Sequence, residues 1–384
     1  MIPMKNDRII PFNKPAFFGN ELVYIQEAVN KGMISGDGYF TRRCSEYFEK
    51  RYSSGKILLT SSGTDALEMA ALLLNIEQGD EVIMPSYNFV SAGNAFALRG
   101  AKIIFVDSLS DHPNVDPQMV CRAITHKTKA VVCVHYAGIS CDMDMLMDVC
   151  RDKRVALVED AAHSIESKWK GQKQLGTIGD IGIFSFHETK NITCGEGGML
   201  SVNRPELVDR AIIIRDKGTN RKEFSEGRSA FYEWVDLGSS FLPADLNAAY
   251  LLAQTEAIER VHKKRKSNWE RYYAELEELE DRAGITLPLI PRNAEHNGHL
   301  FYLVTKNIEE RNALIRFLDS EGVNAVFHYQ ALHRSRYYKG LYKGKSLINA
   351  EKFSDQLVRL PLFYGLTEDE QSIVIQAIKS FYGK

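Results

Sequence analysis

The feature that most constrains the fold of this chain is an alternation of short apolar segments with stretches of helical periodicity over the first two-thirds of its 384 residues. Short apolar runs bounded by turn residues are typical of strands buried on both faces, and helical segments between them are the usual connections of parallel strands. The alternation therefore predicts an α/β domain with a mostly parallel sheet. Seven strands are expected, at Lys56–Ser61, Glu81–Ser86, Lys102–Asp107, Ala130–Tyr136, Val155–Glu159, Ile181–Phe186 and Gly198–Val202.

The last third of the chain predicts a smaller unit. A helical pattern that runs from about Ala244 through Glu280 is expected to form one long connection. The final helix is expected to begin at Thr367, with Glu370 placed to complete a capping box, and to end near Gly383. We predict a large domain over residues 1–245, with an N-terminal arm, and a small α/β domain over residues 246–384. The small domain is expected to contain the strand His299–Thr305, the helix Ile308–Leu318 and the strand Val323–Tyr329.

The composition argues against several classes of partner. The formal net charge of -2 creates no field that would favour nucleic acid or an anionic membrane, and the basic run 262–266 is interpreted as a solvated helix face. No apolar run is long enough to cross a bilayer, and the polar stretch 1–15 lacks the apolar core of a secretory signal. The six cysteines are scattered without a CxxC pair, which indicates reduced thiols in a cytoplasmic protein, with Cys133 as a core residue.

The first segment that could carry chemistry is the run 58–67, where a strand passes through small hydroxyl residues and Gly63 directly into a helix. Free backbone N–H groups at the start of a helix attract phosphate, and a glycine lets the anion approach closely. The same pattern is typical of an ordinary helix N-cap, because Ser and Thr are favoured there. Alone, this segment leaves both interpretations open.

The second segment is the apolar strand that ends in Glu159 and Asp160 and is followed by His163. Ligands of open α/β sheets bind at the carboxyl ends of strands, where an acid can face a cation on the ligand. An acid that caps the following helix is the alternative. Successive residues of a strand point to opposite faces, so only one acid can face the site, and we expect it to be Asp160.

The third segment is the run 179–191, in which a strand ends in a polar loop that carries Lys190. A lysine in a partly desolvated loop can lose its proton and form an imine with an aldehyde, although a lone lysine is more often a surface residue. The glycines at 195–198 fit neither GxGxxG nor the P-loop spacing and are interpreted as a turn. Together, the three segments supply what pyridoxal 5'-phosphate (PLP) requires: a phosphate cradle, an acid for the pyridine nitrogen and a lysine for the aldehyde.

With these segments in place, the chain resembles the DegT/DnrJ/EryC1/StrS sugar aminotransferases along nearly its whole length. Within that family it is most similar to the branch that produces 4-amino-4,6-dideoxy sugar nucleotides. The resemblance implies an α/β protein of PLP-dependent fold type I (aspartate-aminotransferase-like), with a mostly parallel seven-stranded sheet and a smaller C-terminal α/β domain. It is carried by the stretches 36–38, 40–44, 67–74, 81–87, 184–191, 217–221 and 326–329.

The resemblance also implies a role for individual residues. Lys190 would be the Schiff-base lysine and proton shuttle, and Asp160 would pair with the pyridine nitrogen. The other cofactor contacts would be made by Gly63, Thr64 and Ser185 at the phosphate, Phe89 stacked on the ring and His163 near the ring hydroxyl, with Ser240 reaching the phosphate in the neighbouring subunit of a homodimer. Ser240 departs from the family, which often has asparagine there. Lys217, Asn220, Arg221, His328 and Tyr329 are expected to line the sugar-nucleotide site, partly from the neighbouring subunit.

The implied reaction moves an amino group from glutamate through PLP and pyridoxamine 5'-phosphate to a nucleotide-linked 4-keto-6-deoxy sugar. The carrier is expected to be dTDP, and the product is expected to serve cell-surface polysaccharide. The alternatives are a transaminase for a 3-keto sugar and a non-catalytic PLP-binding sensor. A dehydratase of the same family would have histidine in place of Lys190, and a metal site from His328 and His333 would lack a known ligand spacing, so neither is favoured.

Overall fold

The structure is a computed structural model that describes residues 9–383. The first part of the polar N-terminal stretch, residues 1–8, therefore lies outside the described residues. The strands are β1 (Lys56–Thr60), β2 (Glu81–Pro85), β3 (Lys102–Val106), β4 (Thr128–Val134), β5 (Ala156–Asp160), β6 (Lys168–Trp169), β7 (Lys173–Gln174), β8 (Ile181–Ser185), β9 (Gly198–Val202), β10 (Ala294–Glu295), β11 (Phe301–Val304), β12 (Val326–Phe327) and β13 (Leu357–Leu360). The helices are α1 (Asn20–Asn30), α2 (Tyr39–Tyr52), α3 (Gly63–Leu73), α4 (Val90–Ala97), α5 (Pro117–Ala123), α6 (Met143–Lys153), α7 (Val208–Arg215), α8 (Arg221–Ser225), α9 (Asp245–Thr255), α10 (Ile258–Leu276), α11 (Glu278–Ala283), α12 (Ile308–Ser320), α13 (Ile348–Gln356) and α14 (Glu368–Tyr382).

The large sheet has seven strands in the order β1-β9-β8-β5-β4-β2-β3. The pairs β3–β2, β2–β4, β4–β5 and β5–β8 are parallel, while β9 is antiparallel to both of its neighbours, so every strand except β9 runs in the same direction. No helix lies between β8 and β9, and a parallel return would need one. The predicted α/β class and mostly parallel sheet are confirmed; the predicted strand ends differ by up to two residues because hydropathy does not mark where pairing stops.

Both faces of this sheet are covered, which explains why its strands read as continuous apolar runs. Val132 and Val158 belong to the core cluster that includes Ala66 and Met69 of α3. Cys133 and its strand neighbour Val131 belong to a second cluster, on the side of α6, and Cys133 is buried there as predicted. The alternation of neighbouring residues between two cores follows from the two-residue repeat of a strand.

The C-terminal unit is built on the antiparallel sheet β11-β13-β12, with α10, α12 and α14 packed against it. Its core also includes Ile10, which pairs with Val323. The capping box is confirmed, since the Thr367 hydroxyl accepts from the Glu370 N–H while the Glu370 carboxylate accepts from the Thr367 N–H. The division at residue 245 remains a prediction.

The structure differs from two predictions for the connection between the units. The segment from Ala244 to Glu280 forms α9, α10 and the start of α11 rather than one helix, because helical periodicity continues through the short turns that reorient the chain. The basic run is not wholly solvated either: Arg265 is buried, and its guanidinium donates to the carbonyl oxygens of Gly298 and Leu362. Within the described part of the chain, no helix is both long and apolar enough to cross a membrane.

Candidate active site

A cavity of about 280 Å³ lies at the carboxyl ends of the central parallel strands, and the C-terminal unit closes one side of it. The three predicted segments meet here, because parallel strands place their carboxyl ends at one edge of the sheet. Of the expected site residues, nine line this cavity: Gly63, Thr64, Phe89, Asp160, His163, Ser185, Lys190, His328 and Tyr329.

One end of the cavity is the start of α3. Ser62 caps this helix through its hydroxyl, which accepts from the N–H of Asp65 at 3.0 Å. No acceptor among residues 9–383 meets the N–H groups of Gly63 and Thr64. The capping and anion-binding interpretations therefore coexist: Ser62 serves the helix, and the next two N–H groups remain free for an anion.

The two acids at the end of β5 point to opposite faces of the sheet, as expected. Glu159 is fully buried away from the cavity and accepts from the N–H groups of Gly176, Ile178 and Gly179, and from His135. Asp160 lines the cavity, and burial raises the pKa of its carboxyl, while the Ala162 N–H and the charge of Lys190 act in the opposite direction. Because a nearby positive charge favours the ionised form of a buried carboxyl group, a cationic atom of a ligand in the cavity would pair favourably with Asp160.

Lys190 lies in the loop after β8, where its N–H donates to the His187 carbonyl at 2.9 Å. Its side chain is partly buried. Desolvation lowers the pKa of the Lys190 amine to about 8, Asp160 partly opposes this, and the charge of Arg359 adds to it. A lowered pKa increases the neutral fraction, which is the form that attacks an aldehyde.

His163 stacks on His299, with ring centroids 4.3 Å apart. Its Nε2 lies 3.4 Å from the Tyr329 hydroxyl, and its buried Nδ1 has no hydrogen-bond partner in the described chain. The side-chain nitrogen of Asn88, which also lines the cavity, is a second buried polar atom without a partner. Orphaned groups of this kind are costly unless a ligand satisfies them. Together with the free N–H groups of α3, Asp160 and Lys190, they fit a flat, phosphorylated heterocycle with an aldehyde.

The aromatic residues lie on the solvent side and on the small-domain side of the cavity. Phe89 is half exposed, with its ring 5.9 Å from that of Tyr329. His328 and Tyr329 follow the short strand β12 instead of ending a longer one, and Tyr329 adopts a left-handed conformation (φ 52°). The His328 ring is held by the Tyr136 hydroxyl at 2.7 Å.

Four expected residues do not reach this cavity within one chain. Lys217, Asn220 and Arg221 surround the turn before α8, where Arg221 and Lys217 both pair with Asp216. The Asn220 side chain holds the backbone of the following loop at Phe231 and Glu233. Ser240 is exposed and pairs with Asp216 through a single β-bridge. Their contribution to a site shared with a second subunit remains a prediction.

Sequence reasoning missed several cavity residues, notably Phe12, Asn88, His299 and Arg359. Arg359 had a detectable signal, since it is a charged residue inside the apolar run of β13, and such residues usually have a specific role. The contribution of Phe12 carried no signal, because its position depends on how the N-terminal segment crosses the C-terminal unit.

The structure does not bring His328 and His333 together as metal ligands. His333 contacts Ser86 and Glu351, whereas His328 contacts Tyr136. The ligand atoms of Cys133, His135 and Cys141 do lie within 4.8 Å of one another. Both ring nitrogens of His135 are already hydrogen bonded, to the Cys141 N–H and to Glu159, so this group is arranged as a buried hydrogen-bond network.

Comparison with known proteins identifies relatives along nearly the whole chain. The model of the DegT/DnrJ/EryC1/StrS aminotransferase family matches residues 18–379. An uncharacterized protein of Methanocaldococcus jannaschii, MJ1066, is 32% identical over 385 residues, which covers 98% of each chain.

Solved structures give the same result. The aminotransferase TlmJ of Streptoalloteichus hindustanus has a TM-score of 0.90 and 28% identity, with 98% of this chain and 99% of that chain covered. Spr1654 of Streptococcus pneumoniae, described as a putative sugar aminotransferase, has a TM-score of 0.89 and 27% identity in its PLP form, with the same coverage. A second structure of Spr1654 is in the pyridoxamine phosphate (PMP) form.

Proposed function

This chain belongs to the DegT/DnrJ/EryC1/StrS aminotransferase family, and from that premise we propose that it transfers an amino group from glutamate to a nucleotide-linked 4-keto-6-deoxy sugar. It is an α/β aminotransferase of PLP-dependent fold type I, and its cofactor is PLP, which alternates with PMP. The observation that carries the proposal is the convergence of Lys190, Asp160 and the free start of α3 on one cavity.

PLP, when bound, supplies a conjugated ring that stabilises the carbanion formed during transamination. Lys190 is the residue that would hold the cofactor through its amine, and the same amine would take up and return the proton that the alpha carbon of the donor loses. With a pKa of about 8, about a tenth of such an amine is neutral at pH 7. Asp160 keeps the pyridine nitrogen protonated, which makes the ring a better electron sink.

The remaining cofactor residues position the ring. Gly63 and Thr64 donate backbone N–H groups to the phosphate, and Ser185 adds its hydroxyl. Phe89 covers the ring, and His163, whose pKa burial keeps well below its ordinary value, contacts the ring hydroxyl as a neutral imidazole. Ser240 of the partner subunit completes the phosphate site in a homodimer.

The proposed identity of the sugar and of its nucleotide carrier is based on the family resemblance. A description of Spr1654 as a putative sugar aminotransferase supports a sugar acceptor. The dTDP carrier, amination at C4, a cytoplasmic location and use of the product in cell-surface polysaccharide are part of the proposal.

The direct test is incubation of the holoenzyme with dTDP-4-keto-6-deoxyglucose and L-glutamate, followed by NMR of the product. We expect a new amine at C4 of the sugar and one 2-oxoglutarate for each. Lys190→Ala should abolish turnover together with the absorbance of the lysine-bound cofactor, whereas Lys153→Ala, at an exposed position on α6, should have no effect. Amination at C3, or spectral change with glutamate but no product from any keto sugar nucleotide, would contradict the sugar assignment.

The substrate residues can be tested separately. A sugar diphosphate is recognised by cations, so Arg221→Ala should raise the KM for the sugar nucleotide, by about tenfold or more for a lost charge-assisted contact. The rate and the KM of the half-reaction with glutamate should stay nearly unchanged, because the small donor does not contact the pocket that binds the nucleotide. Equal damage to both half-reactions would assign Arg221 to the fold or the cofactor instead.

A further inference from the structure

A chain of hydrogen bonds behind the active-site cavity joins Ser86, His333 and Glu351, to which the proposed reaction gives no role. The Ser86 hydroxyl lies 2.7 Å from Nδ1 of His333, and Nε2 of the same ring lies 3.1 Å from a carboxylate oxygen of Glu351. Ser86 is fully buried, and His333 is nearly so. Ser86 follows β2, His333 lies in a turn after β12, and Glu351 is on α13. The chain of bonds therefore connects the large sheet with the C-terminal unit.

The carboxylate of Glu351 determines which ring nitrogen of His333 carries the proton. Burial acts to raise the pKa of Glu351, but hydrogen bonds from the Ser346 hydroxyl and from His333 hold it below its ordinary value, so the group is ionised near neutral pH. A carboxylate only accepts hydrogen bonds, so Nε2 of His333 donates to it. In the neutral ring Nδ1 is then an acceptor, and the Ser86 hydroxyl donates to it. The Ser86 oxygen in turn accepts from the His333 N–H at 3.3 Å.

The helix that carries Glu351 is itself held by the large sheet. The last residues of β2 and β3 pair with each other, so Ser86 and Asp107 leave the sheet side by side. The Asp107 carboxylate accepts from the backbone N–H groups of Asn349 and Ala350, in the first turn of α13. An anion is favoured at the start of a helix. The ends of two neighbouring strands thus hold α13, which fixes the position from which Glu351 orients the imidazole.

The two segments joined by this chain of bonds also supply facing walls of the cavity. Phe89 lies three residues after Ser86, and Tyr329 lies four residues before His333. Both aromatic rings line the cavity, with their centroids 5.9 Å apart. Within the described part of the chain, Ser86 and His333 do not line the cavity themselves. Their bond therefore acts on the cavity only through the segments that it joins.

We propose that His333 is a positioning residue, which through its bond to Ser86 sets the distance between Phe89 and Tyr329; the importance of that distance for turnover rests on the proposed function. A hydrogen bond depends on direction, whereas apolar contact does not, so a ring that is bonded at both nitrogens defines a position more closely than packing alone. A displacement of reacting groups by about 1 Å can lower a rate about 100-fold, so small shifts of these walls matter.

The first measurement tests the bond in the cofactor-free protein. Urea unfolding of Ser86→Ala, His333→Phe and the double variant gives the coupling between the two residues. We expect the double variant to be about as stable as His333→Phe alone, because either single change already removes the bond. Additive losses of stability would show that the residues are not coupled and would overturn the proposal.

The second measurement uses the holoenzyme and separates positioning from stability. In Ser86→Ala and His333→Phe we expect the visible circular dichroism of bound PLP to change. The rate constant of the donor half-reaction, per folded molecule and with the fastest-reacting L-amino acid, should fall about tenfold or more. PLP should stay bound on dialysis, because neither variant alters Lys190 or the start of α3. His333→Asn, whose side-chain oxygen can still accept from Ser86, should restore part of the rate.

Arg334→Gln is the matched control. The ion pair of Arg334 with Asp355 joins the same turn to the same helix, α13, but does not reach Ser86. We expect this variant to keep both the circular dichroism of PLP and the rate of the wild type. If Ser86→Ala and His333→Phe lose stability but keep the rate and the dichroism, the bond is a structural contact and the proposal is overturned.

Loss of PLP from Ser86→Ala on dialysis would also overturn the proposal, because it would assign the bond to cofactor binding. If His333→Phe does not fold, Ser86→Ala carries the same test, since it removes a single oxygen atom. Failure of the wild type to aminate any sugar would count against the sugar assignment alone, because the donor half-reaction and the dichroism of PLP do not involve the sugar.

Discussion

At the scale of single residues, Glu159 and Asp160 show how one step along a strand separates structure from chemistry. Glu159 accepts three backbone hydrogen bonds that hold the loop before β8, whereas Asp160 faces the cavity. We expect Asp160→Asn to reduce turnover by orders of magnitude with little change in stability, because an amide does not retain the pyridinium proton.

Glu159→Gln should have the opposite effect. Its amide would place donors against backbone N–H groups, so we expect it to lower the free energy of unfolding by about 2 kcal/mol or more while the folded fraction keeps its activity. Urea unfolding and single-turnover rates of both variants separate the two roles. Near-normal turnover in Asp160→Asn would show that Asp160 does not hold the pyridinium proton.

Lys190 makes a pH-dependent contribution to stability in the cofactor-free protein. Its pKa is about 8 in the folded state and near 10.5 when unperturbed. Between these two pKa values the unfolded chain binds more protons than the folded chain, so Lys190 makes the free energy of unfolding rise with pH, by at most about 1.4 kcal/mol per pH unit. Below pH 8 the lysine is protonated in both states, and the destabilisation that results from burying its charge no longer changes with pH. Lys190→Met should remove this rise and be more stable than wild type at pH 7. Urea unfolding of both cofactor-free proteins from pH 7 to 10.5 checks the difference, and parallel curves would refute it.

At the scale of elements, the cradle at the start of α3 depends on the close approach of β9. A Cβ atom added at Gly198 would lie 2.2 Å from the Ser62 carbonyl oxygen and 2.5 Å from the Gly63 nitrogen, both of them backbone atoms. Gly198→Ala must therefore displace the first turn of α3. We expect this variant to bind PLP at least tenfold more weakly, which corresponds to a loss of about 1.4 kcal/mol of binding free energy or more.

The matched control is Gly93→Ala. Gly93 lies within α4, and its added Cβ would meet its nearest neighbour at an ordinary 3.7 Å. Alanine is the better helix former, so this variant should keep its cofactor affinity and gain a little stability. Dialysis against buffer followed by the visible absorbance of bound PLP measures both variants. Equal retention of PLP would show that the approach of β9 does not shape the cradle.

At the scale of the whole molecule, the segment 231–237 exposes an unusual set of large apolar side chains. The side chain of Phe231 is 70% exposed and that of Trp234 is 77% exposed. Ser240, which is expected to contact the neighbouring subunit, lies three residues after this segment. An exposed apolar patch of this kind is typical of an interface. We expect light scattering to give twice the chain mass of 43.5 kDa, in line with the proposed shared site.

Trp234→Glu should shift this assembly toward monomer and lower activity with it, because a buried charge is costly in an interface. Ile348→Glu, at a 72% exposed position on α13, serves as the control and should leave both the mass and the activity unchanged. A fully active monomer would exclude the composite site.

The sequence by itself determined the α/β class, the seven strands and the segments that meet at Asp160 and Lys190. Apolar runs record burial on two faces, and the carboxyl ends of parallel strands must lie at one edge, so local patterns were enough. The break of the predicted connecting helix into α9, α10 and α11 left no comparable mark, since a short turn barely disturbs a helical repeat.

Only the tertiary structure decided which side chains complete the cavity. Phe12, His299 and Arg359 come from segments far apart in the chain, and their meeting depends on how the C-terminal unit packs on the sheet. The tertiary structure also shows that Arg265, one of five basic residues in a row, is buried. Its guanidinium donates to backbone carbonyl oxygens of two distant loops. Contacts between distant segments arise from packing geometry, and no periodicity along the chain encodes them.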